Sequence, residues 1–274
     1  MDAPEGDETE SSTEGEKKQG RRILAPFLSL FGRNGKSSEV DTDSVGMVYA
    51  LDIESPHSAE IRRLLWKIRD AGEEAPEAEK IQVLALTSST PEEGKTTTSV
   101  NLAISSAMFG SGMTLLVDAD LRRPRVHHML GLSQGPGLSD LLSGQVGQEE
   151  CLRPSPQFNN LQVITSGHKV EHPSTLLAAD RLRALFSEWK GMFDLIIVDT
   201  PPAVPLVDTT VISSSADAAL MIIRMGKTPR AMALRAREVL LDARVNLIGG
   251  LVNDIEQILP RYYYNKRGYY YYSQ

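Results

Sequence analysis

The chain has 274 residues, of which 41% are apolar and 24% charged, and a net charge of −7. That is ample length for a buried core, in one sizeable domain or two small ones, and the acidic balance argues against nucleic acid as a partner. The single cysteine, Cys151, excludes an internal disulfide and suits a reducing cytosol, and no Cys/His grouping has metal-site spacing.

Residues 1–20 set seven carboxylates against Lys17 and Lys18 with almost nothing apolar, a disordered composition. Residues 23–31 then gather Ile23, Leu24, Phe27, Leu28, Leu30 and Phe31 behind Arg21 and Arg22. This stretch contains Pro26 and is too short to span a bilayer, and the acidic residues before it do not resemble a signal peptide. It reads as a short interfacial or partner-docking segment, or equally as a sticky stretch of tail. The chain is therefore expected in the cytoplasm. Polar linker follows to residue 57, broken by an apolar patch at 45–53.

From Ser58, a plausible N-cap, Ile61, Leu64, Leu65 and Ile68 recur at helical spacing with Arg62, Arg63, Lys67 and Arg69 opposite, so an amphipathic helix is predicted. An acidic loop at 72–80 leads to the apolar run 81–86, read as the first strand. The next stretch, 88–98, reads S-S-T-P-E-E-G-K-T-T-T and opens a helix running to about Gly110. A strand, a tight loop and a helix start in that order make a phosphate site, because the helix N-terminus offers unpaired N–H groups and the positive end of its dipole. The stretch fits G-x-x-x-x-G-K-[ST] with Ser89 at the first glycine. Ser89, Glu93, Gly94, Lys95, Thr96 and Thr97 are the expected nucleotide contacts, with Lys95 on the β and γ phosphates and the Thr96 hydroxyl on Mg²⁺. Two other G-K-[ST] triplets, at Gly35 and Gly226, lack the strand-loop-helix context.

Residues 113–117 form a continuous apolar strand, the mark of a parallel sheet covered on both faces. A short helix at 138–142, strands at 161–164, 193–198, 218–223 and 246–252, and helices at about 174–189, 208–215 and 230–243 follow. His127 and His128 are read as loop residues. Strands alternating with helices predict an α/β fold: a P-loop NTPase-type, doubly wound, mostly parallel sheet with helices on both faces. The domain is expected over 58–257.

Two strands end in acids: L-L-V-D-A-D-L-R places Asp118 and Asp120 past one, and L-I-I-V-D-T-P-P places Asp199 past another. Ligands bind at that edge of an open α/β sheet. A single such Asp is as often an ordinary cap, but two beside a phosphate loop point to phosphoryl transfer, which needs Mg²⁺ and an acceptor for a proton. Asp199 and one of the pair Asp118/Asp120 can hold the metal, leaving the other as base. Arg122, Arg123 and Arg125 can stabilise transferring or product phosphate. Asn253, just past the last strand, is the candidate for the base edge of the nucleotide.

Seven of the eight tyrosines lie in a tail at 258–274: Tyr262, Tyr263, Tyr264, Tyr269, Tyr270, Tyr271 and Tyr272. The run is broken by Gly268 and flanked by charge, which reads as a flexible tail, either an aromatic end used in assembly or a cluster of phosphate acceptors. Each phosphotyrosine would add roughly −1.5 to −2 charges. A tail cannot easily serve its own site several times, so transfer between subunits is expected.

The phosphate loop at 88–98, the D-x-D-x-R segment at 118–122, the D-T-P-P segment at 199–202 and the terminal tyrosines, in this order, resemble the bacterial tyrosine kinases of capsule and exopolysaccharide production. The resemblance covers residues 58–274. It implies an ATP- and Mg²⁺-dependent autokinase that phosphorylates its tail in trans within a ring-shaped homo-oligomer, the ring forming in the unphosphorylated state, with Lys95, Asp118, Asp120 and Arg122 catalytic. Asp118 would be the base, and Thr96, Asp120 and Asp199 would support the metal. It further implies a separate transmembrane activator of the polysaccharide chain-length regulator type, recruitment to the inner face of the plasma membrane, and a cognate tyrosine phosphatase. Two positions depart from the family pattern. Glu60 and Arg63 match the oligomerisation motif E-x-x-R-x-x-R but Trp66 takes its last place, and Glu92 stands where glycine is frequent. The alternative is a Min/Par-type ATPase switch, whose signature lysine early in the loop is here Thr90.

Overall fold

Strand β1 (Val83–Ser88) is buried at all six positions, as are all five of β2 (Thr114–Asp118) and of β5 (Leu195–Asp199). Unbroken burial needs cover on both faces. In this computed structural model, which describes residues 56–73 and 80–254, that cover is helical. The sheet has seven strands in the order β3-β4-β2-β5-β1-β6-β7, with β3 (Leu152–Pro154), β4 (Leu161–Ile164), β6 (Ala218–Arg224) and β7 (Leu247–Asn253) completing it. Every pairing is parallel except the edge pair β3–β4.

The period-two alternation of strands divides the apolar residues between two layers. Leu84, Leu86, Leu116, Ile197 and Leu220 face one core, shared with Ile61, Leu64, Leu65 and Ile68 of α1 (Pro56–Glu73) and Val100, Leu102 and Ile104 of α2 (Lys95–Phe109). Val83, Leu115, Val117, Ile196 and Val198 face the other. There they meet Leu138 of α4 (Leu138–Ser143), Leu182, Phe186 and Trp189 of α6 (Ala179–Lys190) and Ile212 of α7 (Val207–Ser215). Ala85, Ala219 and Met221 pack on Ala236 and Leu240 of α8 (Arg230–Asp242). On α1 the outer face carries Glu60 and Arg63, 3.3 Å apart, and Trp66, which is 62% exposed.

Several elements differ from their sequence reading. His127 and His128 belong to a short helix, α3 (Val126–Leu130), with His127 buried. Helix α5 (Gln148–Cys151) and strand β3 have no counterpart in the sequence reading, being too short to show a period. The helix expected from residue 174 begins at Ala179, after a 3-10 turn at Pro173–Thr175. The N-terminal region with its segment 23–31, and the tyrosine tail, lie outside the described residues. Among those described, no helix is long and apolar enough to cross a membrane.

Candidate active site

Register brings the acids together. Asp118 at the end of β2 pairs with Asp199 at the end of β5, and Asp199 pairs with Leu86 of β1. Because hydrogen-bonded strands lie about 4.8 Å apart, both carboxylates open on the edge where β1 runs into the phosphate loop.

Gly94 ends that loop with φ +94°, and α2 starts without any side-chain cap. Its leading N–H groups are therefore left for a ligand, as an anion site requires. Glycine is demanded twice here, since the backbone is left-handed and a Cβ would lie 2.1 Å from Asn253 Nδ2. Glu93 holds the loop's shape from inside. Its buried carboxylate accepts from the Ser89 N–H (2.8 Å), the Ser89 hydroxyl (2.9 Å), the Thr90 hydroxyl (2.7 Å) and the Thr228 hydroxyl (2.6 Å). Glu93 and the Ser89 side chain thus serve the loop rather than point at a nucleotide. Thr228 lies in the Gly226 triplet that lacked a phosphate-loop context, and no sequence signal marks its role. Glu92 has φ +66°, its side chain is exposed, and its carbonyl accepts from Arg224 Nη1 at 3.2 Å. Its carboxylate is therefore kept out of the buried cradle.

Lys95, Asp118, Asp120 and Asp199 form one buried cluster. Lys95 Nζ donates to Asp120 Oδ2 at 2.8 Å and lies 4.0 Å from Asp199 Oδ2. Thr96 Oγ1 donates to Asp199 Oδ2 at 2.7 Å, and the Ser99 hydroxyl is 3.1 Å from Oδ1. Asp118 receives the N–H groups of Asp120 (3.2 Å), Arg125 (3.2 Å) and Val126 (3.1 Å), so it also caps the start of α3. Burial, then the Asp199 charge, pushes Asp118 up to about 8. Burial likewise raises Asp199 against the pull of Lys95. For Lys95, burial alone would lower the pKa, but Asp199, Asp120 and Asp118 together outweigh it and raise it.

Three carboxylates thus share one ammonium in a buried site, a deficit of positive charge that burial makes costly. Oxygen donors from Thr96, Asp199 and Asp120 beside a helix N-terminus fit Mg²⁺ and a nucleotide phosphate chain. Asn253 sits under the loop, its amide donating to the Glu93 carbonyl at 3.1 Å, while its Oδ1 is buried with no partner among the described residues. That orphaned acceptor fits an exocyclic amino group on a base. Thr97 stands in the first turn of α2, half-buried.

Arg122 is placed differently from its expected role. Its Nε binds Asp208 Oδ2 at 2.8 Å and its Nη2 binds the Ser174 hydroxyl at 2.8 Å, while Ser174 in turn donates to Asp208 at 2.6 Å. The side chain braces the β2–α3 loop against α7 instead of facing the phosphates.

A family model described as "AAA domain" matches residues 82–237. The tyrosine-protein kinase YwqD of Bacillus subtilis is 34% identical over 174 residues, covering 64% of this chain and 73% of that one. The tyrosine-protein kinase Etk of Escherichia coli K12 is 34% identical over 175 residues, but this chain spans only 24% of its length. Among solved structures, the kinase domain of Escherichia coli tyrosine kinase ETK superposes with a TM-score of 0.73 at 27% identity, covering 84% of this chain and 90% of that one. The septum site-determining protein MinD of Pyrococcus horikoshii shares the fold, with a TM-score of 0.56 at 21% identity over 67% of this chain and 76% of that one.

Proposed function

The chain belongs to the bacterial tyrosine kinases, and we propose that it is an ATP-dependent autokinase acting on the tyrosines of its own tail, in trans, within a homo-oligomer. The observation that carries this reading is the buried cluster in which Asp118, Asp120 and Asp199 share the Lys95 ammonium. The α2 N-terminus and Lys95 bind the nucleotide phosphates, and Asn253 Oδ1 reads the base. Thr96, Asp120 and Asp199 hold Mg²⁺, which when bound neutralises the developing charge on the γ-phosphate. Asp118 accepts the phenol proton as the tyrosine oxygen bonds the γ-phosphorus and the bridging oxygen leaves with ADP. Free tyrosine has a pKa near 10, so a carboxylate raised to about 8 is far better matched to that proton than an ordinary aspartate.

As the resemblance to the capsule and exopolysaccharide kinases implies, the enzyme regulates polysaccharide synthesis or export at the inner face of the plasma membrane. A separate transmembrane activator recruits it and a tyrosine phosphatase reverses it. The Min/Par reading draws only on the shared fold, and Thr90, at the position of that group's signature lysine, is committed to Glu93.

Incubation with ATP and Mg²⁺ followed by mass spectrometry of the tail tests the kinase reading. Phosphate is expected on residues 262–272 of the native chain and absent after Lys95→Met or Asp118→Asn. A native chain that stays unmodified, even with an activator's cytoplasmic segment supplied, would overturn it. Equal phosphate on the variants would reject the site assignment.

A further inference from the structure

We propose that the apolar turn Val204-Pro205-Leu206-Val207 is the wall on which the ring of the acceptor tyrosine rests, so that the site selects tyrosine from the tail of a second copy of this chain. The proposal rests on the kinase reading above and adds to it the residues that recognise the acceptor.

Strand β5 lies between β2, which ends in Asp118, and β1, which runs into the phosphate loop. The segment that leaves β5 therefore stands between the two halves of the site. Its start is tied to the phosphate-loop side, where the N–H groups of Thr200, Ala203 and Val204 donate to the carbonyls of Leu86 (3.1 Å), Ser88 (2.7 Å) and Ser89 (3.3 Å). Its end is tied to the other side, because Asp208, in the first turn of α7, accepts from Arg122 Nε at 2.8 Å, and Arg122 follows Asp120 by two positions. Between those anchors lie Pro205, Leu206 and Val207.

A turn in such a place ordinarily carries small polar residues. This one is apolar at four consecutive positions, with Pro205 and Val207 exposed, the latter by 70%, and Val204 and Leu206 half-buried. Val204 packs on the core beneath α8, but Leu206 and Val207 join none of the three apolar cores of the described residues. Leu206 even takes the cap position of α7, where Ser, Thr, Asp or Asn would hydrogen-bond the helix, and α7 has no side-chain cap. Local rules set aside at the mouth of a site, leaving an apolar run in solvent, mark a surface that a ligand covers.

The tail supplies the matching side chain. Tyrosine is the only aromatic or aliphatic residue type in 261–274. Tyr262 to Tyr272 follow Asp254, the last described residue, by eight to eighteen positions, a reach of roughly 30 to 60 Å when extended, so the mouth of a neighbouring copy lies within range. Asp118 and Asp199 are fully buried, and the accepting hydroxyl has to descend to them from the lip. Tyrosine can do this with its backbone outside, because its hydroxyl stands a whole ring away from Cβ and the ring offers an apolar face to Leu206 and Val207. A serine or threonine hydroxyl, one bond from Cβ, stays at the lip and leaves the wall uncovered.

The test uses the full chain with a peptide of residues 261–274 added as acceptor, saturating ATP and Mg²⁺, and mass spectrometry of the phosphopeptide. Leu206→Asn/Val207→Asn removes the wall but leaves at the α7 cap a residue suited to it, and a thermal melt checks that the variant folds. It should raise the peptide KM about tenfold while kcat stays within about twofold, as expected when binding shared by ground and transition states is lost. Leu206→Met/Val207→Ile should keep most of the native KM, and ATP affinity by calorimetry should be unchanged in both variants. A fluorescent peptide with phenylalanine at all seven tyrosine positions, measured without ATP, should bind the native chain and bind the double-Asn variant about tenfold more weakly. A native KM in that variant, or equal binding of the phenylalanine peptide to both chains, overturns the wall. So does a change of oligomer size in light scattering with the peptide KM unmoved, which gives the turn to the body of a second copy instead. A native chain that makes no phosphopeptide fails the kinase reading, and the phenylalanine peptide, which needs no transfer, still decides the wall.

Discussion

The loops that leave β1 and β2 are both built on buried acids, and they solve the problem of a buried charge in opposite ways. Glu93 has no ion-pair partner among the described residues; four protein donors, drawn from Ser89, Thr90 and Thr228, surround its carboxylate. Asp118, Asp120 and Asp199 have fewer donors and compete for one ammonium. The first arrangement is self-sufficient and fixes the shape of the phosphate loop. The second is short of positive charge. A fold keeps such a deficit where something bound makes it good, which is why the β2–β5 edge, rather than the self-bonded loop, is where the chemistry is expected.

Removing the one ammonium breaks this contrast most severely. Lys95→Met should abolish phosphate transfer by about 10³-fold or more and destabilise the chain by about 3 kcal/mol near pH 8, read by denaturant unfolding. Gly94→Ala strikes the self-sufficient side, with a Cβ 2.1 Å from Asn253 Nδ2 in a left-handed backbone. It should cost about 2 kcal/mol and weaken nucleotide binding about thirtyfold in calorimetry.

The deficit itself has a pH signature. Asp118 sits at about 8 in the fold, against about 4 unfolded, and Asp199 is raised as well. Between those values the folded state binds more protons, so stability falls as pH rises and levels off above about 8. Unfolding at pH 6 and 8 should differ by about 2 kcal/mol without ligand, and Mg²⁺ with nucleotide should shrink the difference. A profile that is flat over this range would mean that the carboxylates are already compensated. Thr228→Val removes one of four donors from Glu93 and should cost about 1 kcal/mol, with no change in that pH profile. Glu92→Gly should do least: relief of its φ of +66° is worth about 1–2 kcal/mol, and glycine's chain entropy takes back about 0.5–1 kcal/mol. Nucleotide affinity should move less than about twofold, because an exposed charge is screened.

Residues acting through local pattern were legible in the chain. Ile61, Leu64, Leu65 and Ile68 declared α1 by spacing alone, and the apolar runs ending in Asp118 and Asp199 declared buried parallel strands with acids at their carboxyl ends. Gly94, Lys95 and Thr96 announced the anion site because a phosphate loop is a short contiguous motif. What could not be read were partnerships across long sequence separations. Nothing in Gly226-Lys227-Thr228 says that its hydroxyl completes a loop 135 residues earlier, nor does Arg122 announce Asp208, 86 residues away. His127 was misread for a different reason, since a five-residue helix is shorter than the period that would reveal it.

The sequence by itself therefore determined which strands are buried, where the phosphate loop lies and which acids end the strands, because each is a property of neighbours along the chain. Only the tertiary structure decided how charge is shared among them. Register set Asp118 beside Asp199, folding placed Lys95 between Asp120 and Asp199, and Asp208 took Arg122 away from the phosphates. Electrostatic energy depends on distance through space and on burial, and neither is fixed until the sheet is assembled.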